Sequence, residues 1–432
     1  MMKKITVHPA ASLKGTLEVP GDKSISHRSV MLGSLALGKT RVRHFLNSAD
    51  CRSTIGIFRK MGVRIEQKAG EIVIHGKGLN SLRMPKGILD AGNSGTTARI
   101  ILGLLAGQPF ACSITGDKYL RKRPMKRVVA PLAQMGARIS GPGNAALLPL
   151  TLQPSGLTGI TYALPVASAQ VKSALLLAGL FADGKTTVVE PTPTRDHTER
   201  MFSAFSIPFR KKNKEISVTG PVDPFKARKI TVPGDISSAA FFIVAGLIVP
   251  KSLVTLKNVG MNPTRTGILD VLKKMGAKIK VMPRKSGKGE EPSADLMVSS
   301  SPLKAVAAGG DLVPRMIDEF PVFAVAATQA RGTTIVRNAG EMKVKESDRI
   351  SLMAVTLKKM GADITPTQDG WVIKGPTPLK GCVLSSGGDH RIAMSLAVAA
   401  LIAEGPTTIL DTENINTSFP GFETMLKRIS RG

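Results

Sequence analysis

A short tetrad recurs along the chain, and its spacing constrains the fold more than any other feature of the sequence. It ends in Met-Gly-Val or Met-Gly-Ala, and its clear copies begin at Lys60, Gln134, Lys274 and Lys359. A related segment at 205–209 fills the longest gap, and a truncated copy falls at 425–427. Six copies of about 72 residues account for the chain, and self-similarity at a fixed period is typical of repeated structural units.

Each copy has the same predicted order of helices and strands. An apolar helix that ends in Gly, such as 174–184, precedes a β-branched strand, such as 186–189. A polar loop leads to a second helix, which ends at the tetrad because glycine readily adopts the left-handed conformation that closes a helix. One or two further strands complete the copy. This β-α-β-α-β-β order predicts α/β units and argues against a solenoid.

A second level of repetition predicts two domains. The segment Val19-Pro20-Gly21-Asp22 recurs as Val232-Pro233-Gly234-Asp235, three repeats further along. Each copy precedes a predicted helix, and Pro-Gly pairs are strong turn signals. We therefore expect one three-repeat domain at 21–234, a second formed by 1–20 and 235–432, and a double hinge near 19–22 and 232–235. The alternative is that the two segments are ordinary turns.

The chain is strongly basic, with a formal charge of +29, whereas aromatic residues make up only 4% of it. Such a charge is typical of nucleic-acid-binding proteins, because Lys and Arg neutralise phosphates. Few aromatic rings are available for base stacking, however, and the basic residues are spread along the sequence. A nucleic-acid partner is therefore not expected, and the simpler interpretation is a solvated basic surface. A basic nucleic-acid-binding module stays an alternative.

Cysteine and histidine usage argues against disulfides and metal sites. The three Cys show no CxxC spacing, and no two of the six His have a metal-ligand spacing. No apolar run approaches the roughly 20 residues that span a bilayer, and the first residues lack the apolar segment of a signal peptide. We expect a cytoplasmic protein with no membrane partner and no cofactor.

Polar clusters open five of the six repeats, directly before the first helix of each. They lie at 22–28, 90–99, 168–172, 318–321 and 387–391. A helix N-terminus carries unpaired N–H groups and a partial positive charge, so it attracts anions, and Lys or Arg nearby adds charge-assisted hydrogen bonds. The simpler interpretation of any one cluster is helix capping by Ser, Asp or Asn. Five clusters at corresponding positions favour a site for a small anionic substrate.

The residues of these clusters resemble one known family over essentially the whole chain, in the family's motif order. The chain is similar to the 3-phosphoshikimate 1-carboxyvinyltransferase (EPSP synthase) family in the runs 21–28, 92–97, 122–124, 168–173, 344–349 and 389–391. It departs from better-known members at Tyr119, Ala169, Glu341 and Thr417, and these departures resemble the family's second sequence class.

The resemblance implies a fold and an activity. The fold would be the enolpyruvyl transferase fold, an inside-out α/β barrel of two domains, each of three βαβαββ units, that close over the substrates. The activity would be transfer of the enolpyruvyl (carboxyvinyl) group of phosphoenolpyruvate to the 5-hydroxyl of shikimate 3-phosphate, with release of phosphate through a tetrahedral ketal. We also expect a monomer that has no cofactor and no metal.

Residue roles follow from the resemblance, position by position. The groups that would bind phosphoenolpyruvate are Lys23, Gly95, Arg123, Gln170, Arg349 and Arg391. The groups that would bind shikimate 3-phosphate are Lys23, Ser24, Arg28, Ser168, Ala169, Gln170, Arg195, Asp318 and Lys345. Asp318 would accept the proton of the 5-hydroxyl with Lys345 beside it, and Glu346 would exchange the proton at the methylene carbon, a task that it could share with Lys23.

Two rival interpretations stay open at this stage. The UDP-N-acetylglucosamine enolpyruvyl transferase has the same fold, but it carries Lys-Asn where this chain has Lys23-Ser24, and a loop Cys where this chain has Lys118. A basic nucleic-acid-binding protein is the second. An inactive homologue that only binds ligands is disfavoured, because the charged residues of the predicted site are intact.

Overall fold

The computed structural model describes residues 3–68, 70–287 and 289–430, and its secondary structure is α/β. The described residues separate into two compact units. The first unit comprises 21–232 together with 287 and 289–291, and the second comprises 3–20, 233–286 and 292–430. Each unit has its own hydrophobic core. Within the described part of the chain, no helix is both long and apolar enough to span a bilayer.

The helices and strands follow the chain through the two units. The N-terminal part of the second unit contains β1 (Ile5–Val7) and β2 (Lys14–Glu18). The first unit contains α1 (Lys23–Leu35), β3 (Leu37–Arg43), α2 (Ala49–Lys60), β4 (Arg64–Lys68), β5 (Glu71–Lys77), β6 (Leu89–Asp90), α3 (Gly95–Ala106), β7 (Cys112–Thr115), α4 (Lys126–Gln134), β8 (Arg138–Ser140), α5 (Pro142–Ala145), β9 (Leu150–Gln153), β10 (Thr161–Ala163), α6 (Ala169–Ala178), β11 (Gly184–Val189), α7 (His197–Phe205), β12 (Arg210–Lys212), β13 (Glu215–Gly220) and β14 (Lys229–Thr231).

The remaining elements belong to the second unit. They are α8 (Ile236–Ile248), β15 (Leu253–Gly260), α9 (Gly267–Lys274), β16 (Lys278–Pro283), β17 (Ser293–Ser299), β18 (Leu303–Lys304), β19 (Ala307–Ala308), α10 (Leu312–Met316), α11 (Phe320–Thr328), β20 (Ala330–Val336), α12 (Arg349–Lys359), β21 (Asp363–Pro366), β22 (Trp371–Gly375), β23 (Leu379–Lys380), β24 (Val383–Ser385), α13 (His390–Ala400), β25 (Ala403–Glu404), β26 (Thr407–Leu410) and α14 (Phe422–Ile429). Short 3-10 turns lie at Leu120–Lys122, Gly340–Val344 and Glu413–Thr417.

The three sheets of the first unit share one topology. Their strand orders are β14-β3-β5-β4, β6-β7-β9-β8 and β10-β11-β13-β12. In each, the first two strands are parallel and the other two pairings are antiparallel. The first sheet is completed by β14, which comes from the far end of the unit and pairs Ile230 with Val42. The predicted repeat is therefore present three times in this unit.

The second unit contains the same arrangement, with its last copy shortened. β2-β15-β17-β16 and β18-β20-β22-β21 each have one parallel pair followed by two antiparallel pairs, and β19 extends the parallel side of the latter. In the last copy β24 is parallel to β26, and the N-terminal β1 supplies the antiparallel partner, with Ile5 opposite Ile409. Every sheet formed by the described strands is open, with two edges.

The recurring tetrad closes the second helix of a repeat, as its sequence predicts. Its four Met side chains are fully buried, and the glycines that follow, Gly62, Gly136, Gly276 and Gly361, all have φ between 89° and 98°. The copy at 205–209 has Ser206 in the left-handed region at the same point, with φ of 59°. The tetrad thus marks a repeated helix C-terminus.

The first helices of the repeats form the interior of each unit. In the first unit these are α1, α3 and α6, and in the second α8, α11 and α13, all buried along most of their length. Because they are covered on all sides, their apolar residues are not confined to one face. A Cβ at Gly103 of α3 would lie 1.8 Å from the carbonyl oxygen of Ala174, so α3 and α6 can approach this closely only with glycine there.

Candidate active site

The predicted site residues of the first unit gather at the N-termini of α1, α3 and α6. On α1, the Asp22 carboxylate caps the helix by accepting from the backbone N–H of Ile25 at 2.9 Å. The next residues, Lys23 and Ser24, occupy the first turn and are half-buried. The ammonium of Lys23 lies 3.0 Å from a carboxylate oxygen of Asp50 on α2. The start of α1 therefore has both a capping carboxylate, Asp22, and a cation, Lys23.

Arg28 lies one turn further along α1 and is buried. Its Nε donates to the Thr198 hydroxyl at 2.8 Å, its Nη2 to the Ser173 hydroxyl at 2.6 Å and its Nη1 to the carbonyl of Ser24 at 3.0 Å. These three acceptors are neutral. Burial lowers the pKa of Arg28 to about 10, although the charge of Glu199 opposes that shift. The guanidinium is thus a buried cation whose direct contacts carry no negative charge.

The start of α3 brings a second group together. A Cβ at Gly95 would lie 2.9 Å from Nη1 of Arg99 and 3.4 Å from Nη1 of Arg123, so both guanidinium groups pack against this glycine. Nη2 of Arg123 donates to the Asn93 side-chain oxygen at 2.9 Å. The start of the helix and the two arginines together make a strongly positive surface.

The start of α6 joins the α3 group through Gln170. The amide oxygen of Gln170 accepts from Arg99 at 3.1 Å, and its nitrogen donates to the Thr96 hydroxyl at 3.2 Å. Ser168 caps α6 by accepting from the backbone N–H of Val171 at 3.4 Å, and Ala169 follows as the first helical residue. The predicted residues Gly95, Arg123 and Gln170 therefore form one connected group.

Arg195 lies in the loop before α7 and is half-buried. Burial is the main cause that lowers the pKa of Arg28, and the carboxylates of Glu199 and Asp22 oppose it. The positive charge of Arg195 lowers this pKa further. The two arginines are thus close enough for their charges to interact. An anion with two negatively charged groups would relieve that repulsion.

The second unit holds the other predicted residues, and Arg349 is their centre. Arg349 is fully buried at the start of α12, and its Nε donates to the Asp389 carboxylate at 2.8 Å. Its Nη2 donates to Glu346 at 2.6 Å, and its Nη1 lies 3.5 Å from Asp318. Although burial favours the neutral form, these three carboxylates outweigh it and raise the pKa of Arg349.

Asp318 is shared between two cations. Its Oδ1 lies 3.5 Å from Nη1 of Arg349, and its Oδ2 lies 3.5 Å from Nη2 of Arg391, which is buried in the first turn of α13. Asp389 caps that helix by accepting from the backbone N–H of Arg391 at 2.9 Å. Burial favours the neutral form of Asp389, but the charges of Arg349 and His390 and the hydrogen bond from Arg349 together lower its pKa.

Lys345 precedes Glu346 in the loop that leads into α12. Burial lowers the pKa of Lys345, Arg349 lowers it further, and Asp318 opposes both effects. An ammonium whose pKa is lowered gives up its proton more easily, as a proton-transfer group must. The structure therefore brings Asp318, Lys345, Glu346, Arg349 and Arg391 into one cluster.

A family model described as EPSP synthase (3-phosphoshikimate 1-carboxyvinyltransferase) matches residues 7–426. The chain belongs to the EPSP synthase family. The 3-phosphoshikimate 1-carboxyvinyltransferase of Bacillus subtilis (strain 168) is 53% identical over 97% of this chain and 98% of that relative. The enzyme of the same name from Citrifermentans bemidjiense is 54% identical over 99% of both. Among solved structures, an EPSP synthase from Acinetobacter baumannii is 46% identical, covers 99% of this chain and 98% of its own, and superposes with a TM-score of 0.89.

Two residues of the predicted cluster at 90–99, Asn93 and Arg99, received no role from the sequence but contact the candidate site residues of this EPSP synthase family member. Arg99 contacts Gln170, and Asn93 holds Arg123 while donating to the Asp117 carboxylate at 2.7 Å. A signal for Arg99 was available, because it lies four residues after Gly95 on α3 and so shares its face of the helix. The role of Asn93 had no such signal, since its partners are distant in sequence.

His27 shows the opposite outcome, a motif residue that is not on the site's surface. It is fully buried, and its Nδ1 lies 2.7 Å from the Thr54 hydroxyl, which in turn contacts the Thr97 hydroxyl at 2.8 Å. Burial, followed by the charges of Lys23 and Arg28, lowers the pKa of His27. This EPSP synthase family motif therefore combines anion-binding residues with a neutral histidine that links α1, α2 and α3.

Proposed function

We propose that this chain transfers the enolpyruvyl group of phosphoenolpyruvate to the 5-hydroxyl of shikimate 3-phosphate and releases phosphate. The observation that carries this proposal is the cluster around Asp318, where a carboxylate shared by two arginines lies beside a lysine of lowered pKa. Membership of the EPSP synthase family supports the same reaction. Both substrates are anionic, and both units present cations at helix starts.

Phosphoenolpyruvate would be held at its two ends by different groups. The phosphate is bound by Lys23, Arg123, Gln170 and the backbone of Gly95. These groups lie at the start of α3 or at the start of a neighbouring helix. Arg349 and Arg391 bind the carboxylate, because the guanidinium fork matches its two oxygens. Arg99, which packs against Gly95, adds positive charge to the phosphate end.

Shikimate 3-phosphate would use the remaining polar groups of the first unit and the acid of the second. Its carboxylate binds Ser24 and Arg28. Its phosphate binds the start of α6, through Ser168, Ala169 and Gln170, together with Arg195. Its 5-hydroxyl lies beside Lys23, Asp318 and Lys345.

The chemistry is an addition followed by an elimination. Asp318 accepts the proton of the 5-hydroxyl, whose oxygen attacks C2 of phosphoenolpyruvate, while Glu346 or Lys23 delivers a proton to C3. The tetrahedral ketal then loses phosphate as a proton leaves C3, which restores the double bond. The surrounding arginines and lysines stabilise the negative charge that develops on the phosphate.

Three further features complete the proposal. The segments 19–22 and 232–235, which lie where the chain passes between the units, act as a double hinge for closure. The enzyme is a cytoplasmic monomer. Small-angle scattering that does not change when shikimate 3-phosphate and an inhibitor are added would argue against closure.

The first experiment measures phosphate release from phosphoenolpyruvate with and without shikimate 3-phosphate. Release that requires both substrates supports the proposal. Release with UDP-N-acetylglucosamine alone as acceptor would assign the chain to the rival transferase reaction, and no release with either acceptor would refute enolpyruvyl transfer. A gel-shift assay at two salt concentrations tests the nucleic-acid alternative, which predicts strongly salt-dependent retention.

A further inference from the structure

A cluster of three charged side chains lies buried in the first unit, and the proposed reaction does not use it. Lys172 on α6 is fully buried, and Glu190 and Glu199 are 2% and 3% exposed. The Lys172 ammonium lies 2.7 Å from Oε1 of Glu199 and 3.1 Å from Oε1 of Glu190. Buried charges are costly unless they are paired, so a cluster of this kind needs a reason.

One arm of the cluster leads to Arg28. Lys172 and Ser173 are neighbours on α6, and Thr198 and Glu199 are neighbours on α7. The ion pair Lys172–Glu199 therefore runs alongside the hydroxyl pair Ser173–Thr198, whose oxygens are 2.7 Å apart. These two hydroxyls are the acceptors for Nη2 and Nε of Arg28.

The direction of each hydrogen bond in this arm follows from the number of protons. Ser173 has one hydroxyl proton, which it donates to the carbonyl of Ala169 at 2.7 Å. Ser173 must then accept from Thr198, and Thr198 in turn accepts from Nε of Arg28. Both hydroxyl protons are thus committed, and each oxygen is free to accept from the guanidinium. A change in the spacing of α6 and α7 would separate the two acceptors of Arg28.

The other arm leads to Arg195. Glu190 follows the end of β11, and its Oε1 accepts from the backbone N–H of Thr194 at 3.0 Å and from the Thr194 hydroxyl. The next residue in the chain is Arg195. The Lys172–Glu190 pair therefore anchors the loop that carries this arginine, just before α7 begins.

We propose that Lys172 is a positioning residue that, through Glu199 and Glu190, sets the separation between Arg28 and Arg195. This inference rests on the proposed function, which assigns Arg28 to the carboxylate and Arg195 to the phosphate of shikimate 3-phosphate. The Lys172 ammonium thereby keeps Arg28 and Arg195 at the distance that separates the carboxylate and the phosphate of the substrate. Neither Lys172 nor its two carboxylate partners touches the substrate.

The test separates the two arms by binding calorimetry with three ligands: shikimate 3-phosphate, its carboxamide, and shikimate without phosphate. Glu199→Gln should reduce the preference for the carboxylate over the carboxamide by about tenfold and leave the preference for the phosphate intact. Glu190→Gln should reduce only the preference for shikimate 3-phosphate over shikimate, and leave the preference for the carboxylate over the carboxamide intact. Lys172→Met should reduce both preferences.

Two controls keep the outcome decisive. Arg315→Met removes an ion pair with Asp270, of 2.6 Å, in the second unit and should change neither preference. Thr198→Val preserves every charge but removes the acceptor for Nε of Arg28, so it should repeat the effect of Glu199→Gln even if the charge variants fold poorly.

The possible failures are distinguishable. Equal weakening of all three ligands in both glutamate variants would show that the cluster serves stability only, and would overturn the positioning role. If Thr198→Val left the preference for the carboxylate over the carboxamide unchanged, the positioning role would be overturned for the arm that leads to Arg28. Wild-type protein that binds the carboxamide as tightly as shikimate 3-phosphate would instead refute the assignment of Arg28, and the positioning proposal with it.

Discussion

Arg28 and Arg349 are both buried arginines near a helix start, yet their surroundings are opposite. Arg28 donates to two hydroxyls and a carbonyl, whereas Arg349 contacts three carboxylates. Burial therefore lowers the pKa of Arg28 to about 10, while the carboxylates raise that of Arg349 despite burial. A cation with neutral partners is poised to receive an anion. A cation already held by carboxylates can instead position those carboxylates for proton transfer.

The largest expected effect comes from removing the carboxylate that the second unit shares between two arginines. Asp318→Ala should reduce phosphate release by about 10³-fold, because a general base typically contributes 10² to 10⁴. Steady-state phosphate release with both substrates checks this. Asp270→Ala, which removes a carboxylate paired with Arg315 in the same unit, is the control and should keep activity. Near-normal activity in Asp318→Ala would contradict the role of Arg349 as the residue that positions a carboxylate for proton transfer.

Stability should separate the two arginines directly. Arg349→Met leaves Asp389 fully buried without its cation, and loss of one partner of a buried pair costs about 3–5 kcal/mol. Arg28→Met leaves only neutral acceptors, which should cost about 1–3 kcal/mol. Urea titration followed by circular dichroism measures both variants. The fluorescence of Trp371, which donates to the carbonyl of Ile350 next to Arg349, reports on the second unit. Equal losses in the two variants would contradict the contrast.

The arginines at the start of α3 pack against Gly95 at the proposed phosphate end, so crowding them should weaken binding more than folding. In Gly95→Ala the new methyl would press on Arg99 and Arg123, and we expect the KM for phosphoenolpyruvate to rise about tenfold, the size expected for one charged hydrogen bond. The KM for shikimate 3-phosphate should change much less. Gly56→Ala on α2 is the matched control, since its Cβ would meet no atom within 4 Å. A rise in both KM values would indicate a general distortion.

The smallest expected effect is the acid dependence of stability in the second unit. The folded pKa of Asp389 lies below its ordinary value of 3.8, so its stabilising contribution is complete above that value. The contribution is then lost as the pH falls through the lowered folded pKa. In urea titrations, the difference between wild type and Asp389→Asn should be constant down to about pH 5 and narrow below about pH 4. If the difference in the free energy of unfolding stayed constant across this pH range, the negative charge of Asp389 would not contribute to stability.

Local sequence patterns predicted much of this protein. The four tetrads and the copy at 205–209 predicted helix ends with a left-handed residue, which is Ser206 in place of glycine in the latter. The truncated copy at 425–427 instead lies within α14, whose C-terminal capping residue Ser430 has φ of −89°. The polar clusters predicted helix starts, and Asp22, Ser94, Ser168 and Asp389 do cap them. These features depend on residues within one or two turns of each other. Their geometry is therefore determined by neighbouring residues, which a single sequence displays directly.

Only the tertiary structure decided which side chains meet. β14 completes the first sheet and β1 the last, although each joins strands far away in the sequence. Likewise the partners of Lys172 lie on other elements, and Arg349 reaches Asp389 forty residues away. A repeat reveals equivalent positions but not which charged groups are paired there, because pairing depends on how separate helices pack. The charge that each site residue carries, and hence its chemistry, follows from that packing.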